Sequence, residues 1–247
     1  MTETHTALET GLSSHAGAAF FCQQLDERGF QASHHEPRIL VAGCGAGHEA
    51  AAIQQHFDAT VDAIDIELQV DPRCQLIPKL LIREASVCDL PFSDETYDAI
   101  FYHHVIEHVD DPVRSLVEIT RVLRPGGWLF IGTPNRHRLV SSVGAHKQTQ
   151  WDATLANKLG DNWHDWKARL TGKFRNEFGA HAGFSQSELD KLLAVHFQQR
   201  IWLTREYLHM KYAEHRLLGL LKVATLPALC WFAAPSIYVL CRQGTAA

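Results

Sequence analysis

The feature that most constrains the fold is an apolar run that turns directly into glycines at alternate positions. Residues 39–42 read Ile-Leu-Val-Ala, and glycines follow at positions 43, 45 and 47. A buried parallel strand reads as a continuous apolar run, and a glycine-rich turn lets the backbone pass close to a ligand. We therefore expect a strand, a ligand-binding turn and then a helix over 48–56, whose free amides face that ligand.

The next run of residues that suits a strand, over 60–65, ends in the acidic residue Asp65. In doubly wound α/β folds a carboxylate such as Asp65 accepts hydrogen bonds from the two hydroxyls of a ribose. The pattern therefore predicts a nucleoside cofactor. Two registers of the glycines remain open at this point. Gly45-x-Gly47-x-x-Ala50 fits the dinucleotide fingerprint, whereas Gly43-x-Gly45-x-Gly47 is a different pattern, and the loop by itself does not decide between them.

The amino-acid composition narrows the classes of function that this chain can have. The 247 residues are 46% hydrophobic, which suits one α/β core with an insertion. There are 23 basic and 28 acidic residues without a basic run, so nucleic acid is not an expected partner. The six cysteines are scattered without a C-x-x-C pair, which indicates neither a zinc site nor a disulfide framework. With no signal-peptide pattern at the N-terminus, these features favour the cytoplasm.

Strands and helices are expected to alternate along the chain. Pro72 and Pro78 argue against a long helix between the second and third strands. A helix is predicted over 112–123, and Ser185-x-x-Glu188 is a capping box that opens another. The strands after the second are predicted at 85–89, 99–103, 128–133, 199–204 and 236–242. This alternation predicts a doubly wound, mostly parallel, seven-stranded α/β sheet.

Five motifs in succession carry a family resemblance. They are Val-Ala-Gly-Cys-Gly-Ala-Gly at 41–47, Asp65, Asp-Leu-Pro-Phe at 89–92 with Tyr-Asp at 97–98, Glu-His-Val at 107–109, and Arg-Val-Leu-Arg-Pro-Gly-Gly at 121–127. In this order they resemble the class I S-adenosylmethionine-dependent methyltransferases. The most similar branch contains ubiquinone and menaquinone biosynthesis enzymes. The dinucleotide hypothesis explains neither the third motif nor the last. The resemblance implies a Rossmann-like sheet with a helical insertion as a lid.

The resemblance also implies which residues bind S-adenosylmethionine. Asp65 would accept the ribose hydroxyls, and Asp89 would accept the adenine amino group. The glycines would let the backbone approach the methionine and ribose parts of the cofactor. The full implied set is Gly43, Cys44, Gly45, Gly47, Asp65, Ile66, Cys88, Asp89, Leu90 and His103.

Methyl transfer to a hydroxyl needs a general base, and histidine serves best near neutral pH. His103 and His104 lie at the carboxyl end of the fourth strand, where this fold places its substrate, and His108 is a third candidate. In some ubiquinone-pathway O-methyltransferases the matching segment, with glutamate at the position of His104, is associated with a divalent cation. No metal is expected here, although His104, Glu107 and His108 are where one would bind. The same residues match His-x-x-Glu-His, but not on a helix, so a peptidase is rejected.

Four regions are expected. They are an N-terminal helical segment over 1–36, the cofactor-binding core over 37–136, a helical insertion over 137–184 that covers the acceptor, and a C-terminal completion of the sheet over 185–247. The last region contains an apolar segment from Leu217 to Ala234. Pro227 interrupts it and Pro235 follows it directly, so we expect a buried or lid helix with peripheral membrane contact rather than a membrane span.

Together these features predict an S-adenosylmethionine-dependent methyltransferase. The acceptor is expected to be a small lipophilic molecule methylated at oxygen, and the sequence leaves the oligomeric state open. Two alternatives remain. One is a catalytically silent member of the fold that acts in binding or interaction, and the other is an NAD(P)-dependent oxidoreductase.

Overall fold

A computed structural model describes residues 15–30, 36–138, 167, 171, 183–212, 230 and 234–245. Its helices are α1 (Ala16–Glu27), α2 (His48–Phe57), α3 (Pro112–Val122), α4 (Gln186–Ala194) and α5 (Thr204–Tyr212). Its strands are β1 (Arg38–Ala42), β2 (Thr60–Asp65), β3 (Leu80–Glu84), β4 (Tyr97–His103), β5 (Leu123–Pro134), β6 (Gln199–Trp202) and β7 (Ser236–Arg242).

The seven strands form one sheet in the order β3-β2-β1-β4-β5-β7-β6. β1 pairs in parallel with β2 and with β4, and β2 pairs in parallel with β3. The strand order reverses between β1 and β4, so the carboxyl ends of these two strands border a crevice. In doubly wound folds a ligand binds at this switch point. The sheet is of the predicted class and places the glycine turn and His103 at the same edge.

Aromatic packing fixes α1 against the centre of the sheet. Phe20 and Phe21 on α1 are buried, and the Phe21 ring lies 5.2 Å from the ring of Phe101 on β4. Phe101 in turn stacks on Phe130 of β5 at a centroid distance of 5.6 Å. Burial of several aromatic side chains contributes a large share of the hydrophobic stabilisation of a domain of this size. This packing holds the start of α1 close to the carboxyl end of β4.

The prediction of a third strand at 85–89 is wrong. The strand lies at Leu80–Glu84, and residues 85–89 form a turn closed by a bridge between Ser86 and Asp89. Pairing explains the difference, because β2 ends at Asp65, which pairs with Glu84. Residues after Glu84 therefore run past the end of their neighbour. As expected from the two prolines, the connection before β3 contains only a short 3-10 turn, Cys74–Leu76.

Other local predictions agree with the structure more closely. Helices α2 and α3 and strands β4 and β7 lie within a few residues of their expected positions. The capping box is present, because the Glu188 amide donates to Ser185 Oγ and the Ser185 amide donates to Glu188 Oε2. Helix α5 was not predicted.

The chain divides into two compact units. In the part of the chain that the structure describes, one unit holds the residues up to Ile131 with 193–200 and 240–245, and the other holds the remainder. The predicted insertion over 137–184 and the segment Leu217–Ala234 lie almost entirely outside the described residues. No described helix combines the length and apolar character needed to cross a membrane.

Candidate functional site

The glycine turn leaves β1 in a conformation that only glycine adopts without strain. Gly43 has φ +81°, and a Cβ at this position would lie 2.1 Å from Cγ2 of Val105. The amides of Gly43 and Cys44 both donate to the carbonyl of Ile64, at 2.8 and 2.9 Å. The turn is therefore fixed against the end of β2 on one side and against the segment after β4 on the other.

Asp65 is held by the turn that it faces. The Gly45 amide donates to Asp65 Oδ2 at 2.8 Å, and the Glu67 amide lies 3.4 Å from Oδ1. The side chain remains half-buried, and a carboxylate can accept about four hydrogen bonds, so it has capacity for a ligand. A Cβ at Gly45 would meet no atom within 4 Å, and the neighbouring Ile66 is 72% exposed. These residues fit a nucleoside with its ribose hydroxyls directed at Asp65.

Cys44 lies inside the turn, and its thiol is unreactive near neutral pH. Burial and the negative charge of Asp65 raise the pKa of its thiol to about 12. The thiolate is the reactive form of cysteine, so a thiol held protonated near neutral pH is not a nucleophile. Cys44 therefore contributes to the shape of the turn.

Helix α3 braces the turn that carries Asp89. Asp89 itself is exposed, and the residues on both sides of it are bonded to the helix. Arg114 Nε donates to the Cys88 carbonyl at 2.8 Å, and the Leu90 amide donates to Glu118 Oε2 at 2.9 Å. The backbone is thereby fixed before and after Asp89, while its carboxylate stays accessible.

Two histidine–glutamate contacts stand next to each other at the end of β4. His103 Nδ1 lies 3.5 Å from Glu49 Oε1, and His104 Nδ1 lies 3.1 Å from Glu107 Oε1. The two imidazole rings are 4.3 Å apart. Their exposure differs, because the side chain of His103 is 11% exposed and that of His104 is 39% exposed. His104 is therefore the more accessible of the two.

His104 has two features that set it apart from an ordinary surface histidine. Its φ of +55° is in the left-handed region, which is uncommon for residues other than glycine and is concentrated at functional sites. Burial lowers the pKa of its imidazole, and the neighbouring charge of His103 lowers it further, while Glu107 acts in the opposite direction. The net lowering keeps His104 neutral near pH 7, in the form that accepts a proton.

The third histidine candidate, His108, is exposed at the end of the 3-10 turn Ile106–His108. His104 and Glu107 are in contact, as a metal site at these residues would require. However, the residues that the structure describes contain no group of three His, Cys, Asp or Glu side chains placed to hold a metal ion. The geometry at this position is that of an imidazole–carboxylate pair.

Sequence reasoning missed several residues that shape the site. Glu49 is on α2, Gly17 is on α1, and Arg114 and Glu118 are on α3. The only sequence signal for the α3 residues is the spacing of Glu118 and Arg121, which places the two on the same face of a helix. Glu49 follows the glycine turn in the first turn of α2, where an acid is common for electrostatic reasons alone.

Comparisons with known proteins agree with this geometry. Residues 40–131 match the family model described as a methyltransferase domain. A ubiquinone biosynthesis O-methyltransferase of Parvibaculum lavamentivorans is 32% identical over 169 residues, which are 62% of this chain and 60% of that protein. A probable S-adenosylmethionine-dependent methyltransferase of Mycolicibacterium smegmatis is 35% identical over 98 residues, 40% of this chain and 38% of that protein.

Solved structures show the same fold. A geranyl diphosphate methyltransferase in complex with S-adenosylmethionine matches with a TM-score of 0.54 at 17% identity, covering 94% of this chain and 85% of the other. A putative sarcosine dimethylglycine methyltransferase from Galdieria sulphuraria matches with a TM-score of 0.55 at 16% identity, covering 94% and 86%. The predicted fold is thereby confirmed.

The predicted likeness to methyltransferases is confirmed over residues 40–131, which match a methyltransferase domain and are similar to relatives named as S-adenosylmethionine-dependent and ubiquinone biosynthesis methyltransferases. The chain spans 38% and 60% of the lengths of the two curated relatives described above.

Proposed function

We propose that this chain, in which residues 40–131 carry a methyltransferase domain, transfers a methyl group from S-adenosylmethionine to a hydroxyl oxygen of a small lipophilic molecule. The observation that carries the proposal is that one compact unit holds both the Asp65-anchored glycine turn and the His104–Glu107 pair. The glycine turn with Asp65 suits binding of the cofactor, and the His104–Glu107 pair suits removal of a proton from the acceptor hydroxyl.

The cofactor, when bound, supplies a methyl group already activated on a positively charged sulfur. The chain's own residues then have to bind and orient the two reactants. Asp65 accepts the ribose hydroxyls and Asp89 accepts the adenine amino group, while Gly43 and Gly45 let the backbone approach closely. Such positioning supplies much of the acceleration in a transfer between two bound reactants.

His104 is the general base in this proposal. Its Nδ1 faces the Glu107 carboxylate, so Nδ1 carries the proton and Nε2 is the basic nitrogen. The acceptor oxygen would form its bond to the methyl carbon as the bond from that carbon to sulfur breaks, with S-adenosylhomocysteine as the leaving group. The hydroxyl proton passes to Nε2 of His104 and later to solvent. The side chain of Glu107 is 1% exposed, so the carboxylate is sheltered from water and fixes the ring orientation. His103 lies deeper, which favours an indirect role for it.

Oxygen methylation and a lipophilic acceptor are supported by two considerations. Relatives named ubiquinone biosynthesis O-methyltransferase occur in Parvibaculum lavamentivorans and in Paracidovorax citrulli, the second at 35% identity over 118 residues. The apolar sequence from Leu217 to Ala234 also suits a greasy acceptor or contact with a membrane surface. Because that segment lies almost wholly outside the described residues, its role stays a prediction.

Cofactor binding tests the proposal most directly. Titration calorimetry with S-adenosylmethionine and S-adenosylhomocysteine should show binding of both by the wild-type chain. Asp65→Ala removes the ribose acceptor, so we expect the Kd to rise roughly 100-fold, the effect of two hydrogen bonds to a charged group. The control Glu95→Ala removes an acid from an exposed turn and should change the Kd by no more than about twofold.

Transfer of a labelled methyl group to phenols, quinols and fatty acids then identifies the acceptor class. Labelling of phenols or quinols supports the proposal. Cofactor binding without transfer to any oxygen acceptor would favour the silent binding protein, and binding of NADH in place of S-adenosylmethionine would favour the oxidoreductase. Either result would overturn the proposal.

A further inference from the structure

Helix α1 passes directly over the contact between Glu49 and His103. A Cβ on Gly17 would lie 2.4 Å from His103 Cε1, 2.7 Å from His103 Nδ1 and 2.9 Å from Glu49 Oε1. All three distances are too short for a real side-chain carbon. Glycine in a helix costs about 1 kcal/mol relative to alanine, so a glycine at this point has to be explained by the close approach. The approach encloses the His103–Glu49 contact beneath the helix.

Glu49 faces inward even though it begins a helix. An acid in the first turn is stabilised by the helix dipole, and this effect by itself would leave the side chain in solvent. Instead, the carboxylate is 30% exposed and lies 3.5 Å from His103 Nδ1. Burial acts to raise the pKa of Glu49, but the positive charge of His103 and its hydrogen bond outweigh burial and hold the pKa below its usual range.

The ring of His103 connects this contact to the proposed base. It packs 4.3 Å from the His104 ring at an interplanar angle of 58°, and 5.3 Å from the ring of Phe101. His103 is thereby confined by Glu49, by the backbone of α1 and by two rings. Movement of His103 would remove one wall of the space that holds the His104 imidazole.

We propose that Glu49 is a positioning residue for methyl transfer: it holds the His103 ring beneath Gly17, and the His103 ring holds His104 in its reactive orientation. This inference rests on the proposed function, because it assigns His104 as the base. It adds a role for α1 and for the first turn of α2. The Glu49 carboxylate, which follows the glycine turn, connects that turn to the base through His103. In this proposal Glu49 acts through His103 and not directly on either reactant.

Nuclear magnetic resonance of the histidine rings tests the contact without requiring activity. In 15N-labelled wild-type protein, the His103 signals, identified by their loss in His103→Asn, should show a proton on Nδ1. Glu49→Gln replaces the carboxylate by an uncharged amide of the same size, and we expect the His103 Nδ1 signal and the His104 signals to shift. Gly17→Ala keeps every charge but forces the helix and ring apart, and should shift the same signals.

Kinetics provide the second measurement. We expect Glu49→Gln to lower kcat about tenfold, less than the ~10²–10⁴-fold contribution of proton transfer itself, with the cofactor Kd and the acceptor KM changed by no more than about twofold. Glu49→Asp keeps the charge on a shorter side chain and should recover part of the loss. Glu95→Gln removes a charge from an exposed turn and should leave kcat unchanged.

The outcomes separate the two proposals. Unchanged His103 signals in Glu49→Gln would overturn the inference, as would a kcat within about twofold of wild type. A purely structural role would lower thermal stability while leaving kcat intact, and would also overturn it. If the wild-type chain binds no S-adenosylmethionine, the proposed function fails, and the ring signals still report whether Glu49 holds His103.

Discussion

The left-handed backbone of His104 is the residue-scale feature with the clearest chemical consequence. At φ +55° the side chain leaves the chain in a direction that an extended or helical residue would not give it. Its partner Glu107 is almost fully buried, so the pair is preformed. A sparsely populated conformation persists only when the surrounding structure maintains it, and such conformations are concentrated at functional sites. The backbone of His104 at the end of β4 therefore indicates a functional position.

His104→Asn tests the proposed base with little change in backbone, because asparagine tolerates the left-handed region better than most residues. We expect kcat to fall by ~10²–10⁴-fold. The control His56→Asn changes a histidine in the last turn of α2, at the end of the helix opposite to Glu49, and should have no effect on kcat. Equal losses in both variants would point to a general effect of histidine removal and away from a base at position 104.

The pH dependence of kcat follows from the same residue. The base must be unprotonated, and burial together with the charge of His103 lowers the pKa of His104. Activity should therefore rise with pH, with the midpoint of the rise below the ordinary histidine value of about 6.5. In the His104→Asn variant this acid limb should disappear. An acid limb centred above that value in the wild type would contradict the assignment.

At the scale of an element, α3 acts as a brace for the turn that carries Asp89. Glu118 accepts from the Leu90 amide, and Arg121 donates both to Glu118 at 2.7 Å and to the Leu90 carbonyl at 3.0 Å. One ion pair on the helix therefore satisfies both backbone groups of a single residue. Hydrogen bonding by Arg121 lowers the pKa of Glu118, which keeps its carboxylate charged.

Glu118→Gln should weaken cofactor binding although the side chain does not approach the cofactor. Loss of a charged acceptor for the Leu90 amide loosens the turn, and we expect the Kd for S-adenosylmethionine to rise about tenfold, or roughly 1.4 kcal/mol. Titration calorimetry measures it. Asp94→Asn is the matched control, because it removes only the exposed partner of Arg121 and should leave binding unchanged. An equal effect of both variants would contradict the brace.

At the scale of the whole molecule, a buried acid ties four strands of the sheet together. Asp62 on β2 is 1% exposed and accepts from Arg38 of β1 at 3.1 Å, from Arg83 of β3 at 2.8 Å and from the Tyr97 hydroxyl of β4 at 3.0 Å. Burial and the charge of Asp62 raise the pKa of Tyr97, so its hydroxyl stays a donor. Three side chains thus converge on one buried carboxylate within the sheet.

Asp62→Asn places an amide donor among three donors, so we expect a substantial loss of stability. The two arginines are each about 40% exposed and can turn to water, which limits the cost. We expect the free energy of unfolding to fall by about 2–3 kcal/mol and the Tm by roughly 5–10 °C, as measured by calorimetry. Asp58→Asn removes an exposed pair with Lys79 and should change the Tm by little.

Local patterns in the sequence were enough to predict most of the sheet. The apolar run of β1, the pattern of β2, the glycine turn and Asp65 depend on neighbouring residues only, because burial pattern and φ are local requirements. The capping box at Ser185 and the last strand, Ser236–Arg242, are confirmed for the same reason. The position of β3 was mispredicted, because its place depends on where β2 ends and not on the composition of 85–89.

The sequence by itself determined the class of the sheet, most of its strands and helices, and the turn and acid that suit a nucleoside cofactor. Only the tertiary structure brought Glu49 against His103, placed Gly17 above both, and set α3 against the turn around Asp89. The physical reason is that these contacts join segments distant along the chain. Which side chains meet is decided by sheet register and helix packing, and no local periodicity records it.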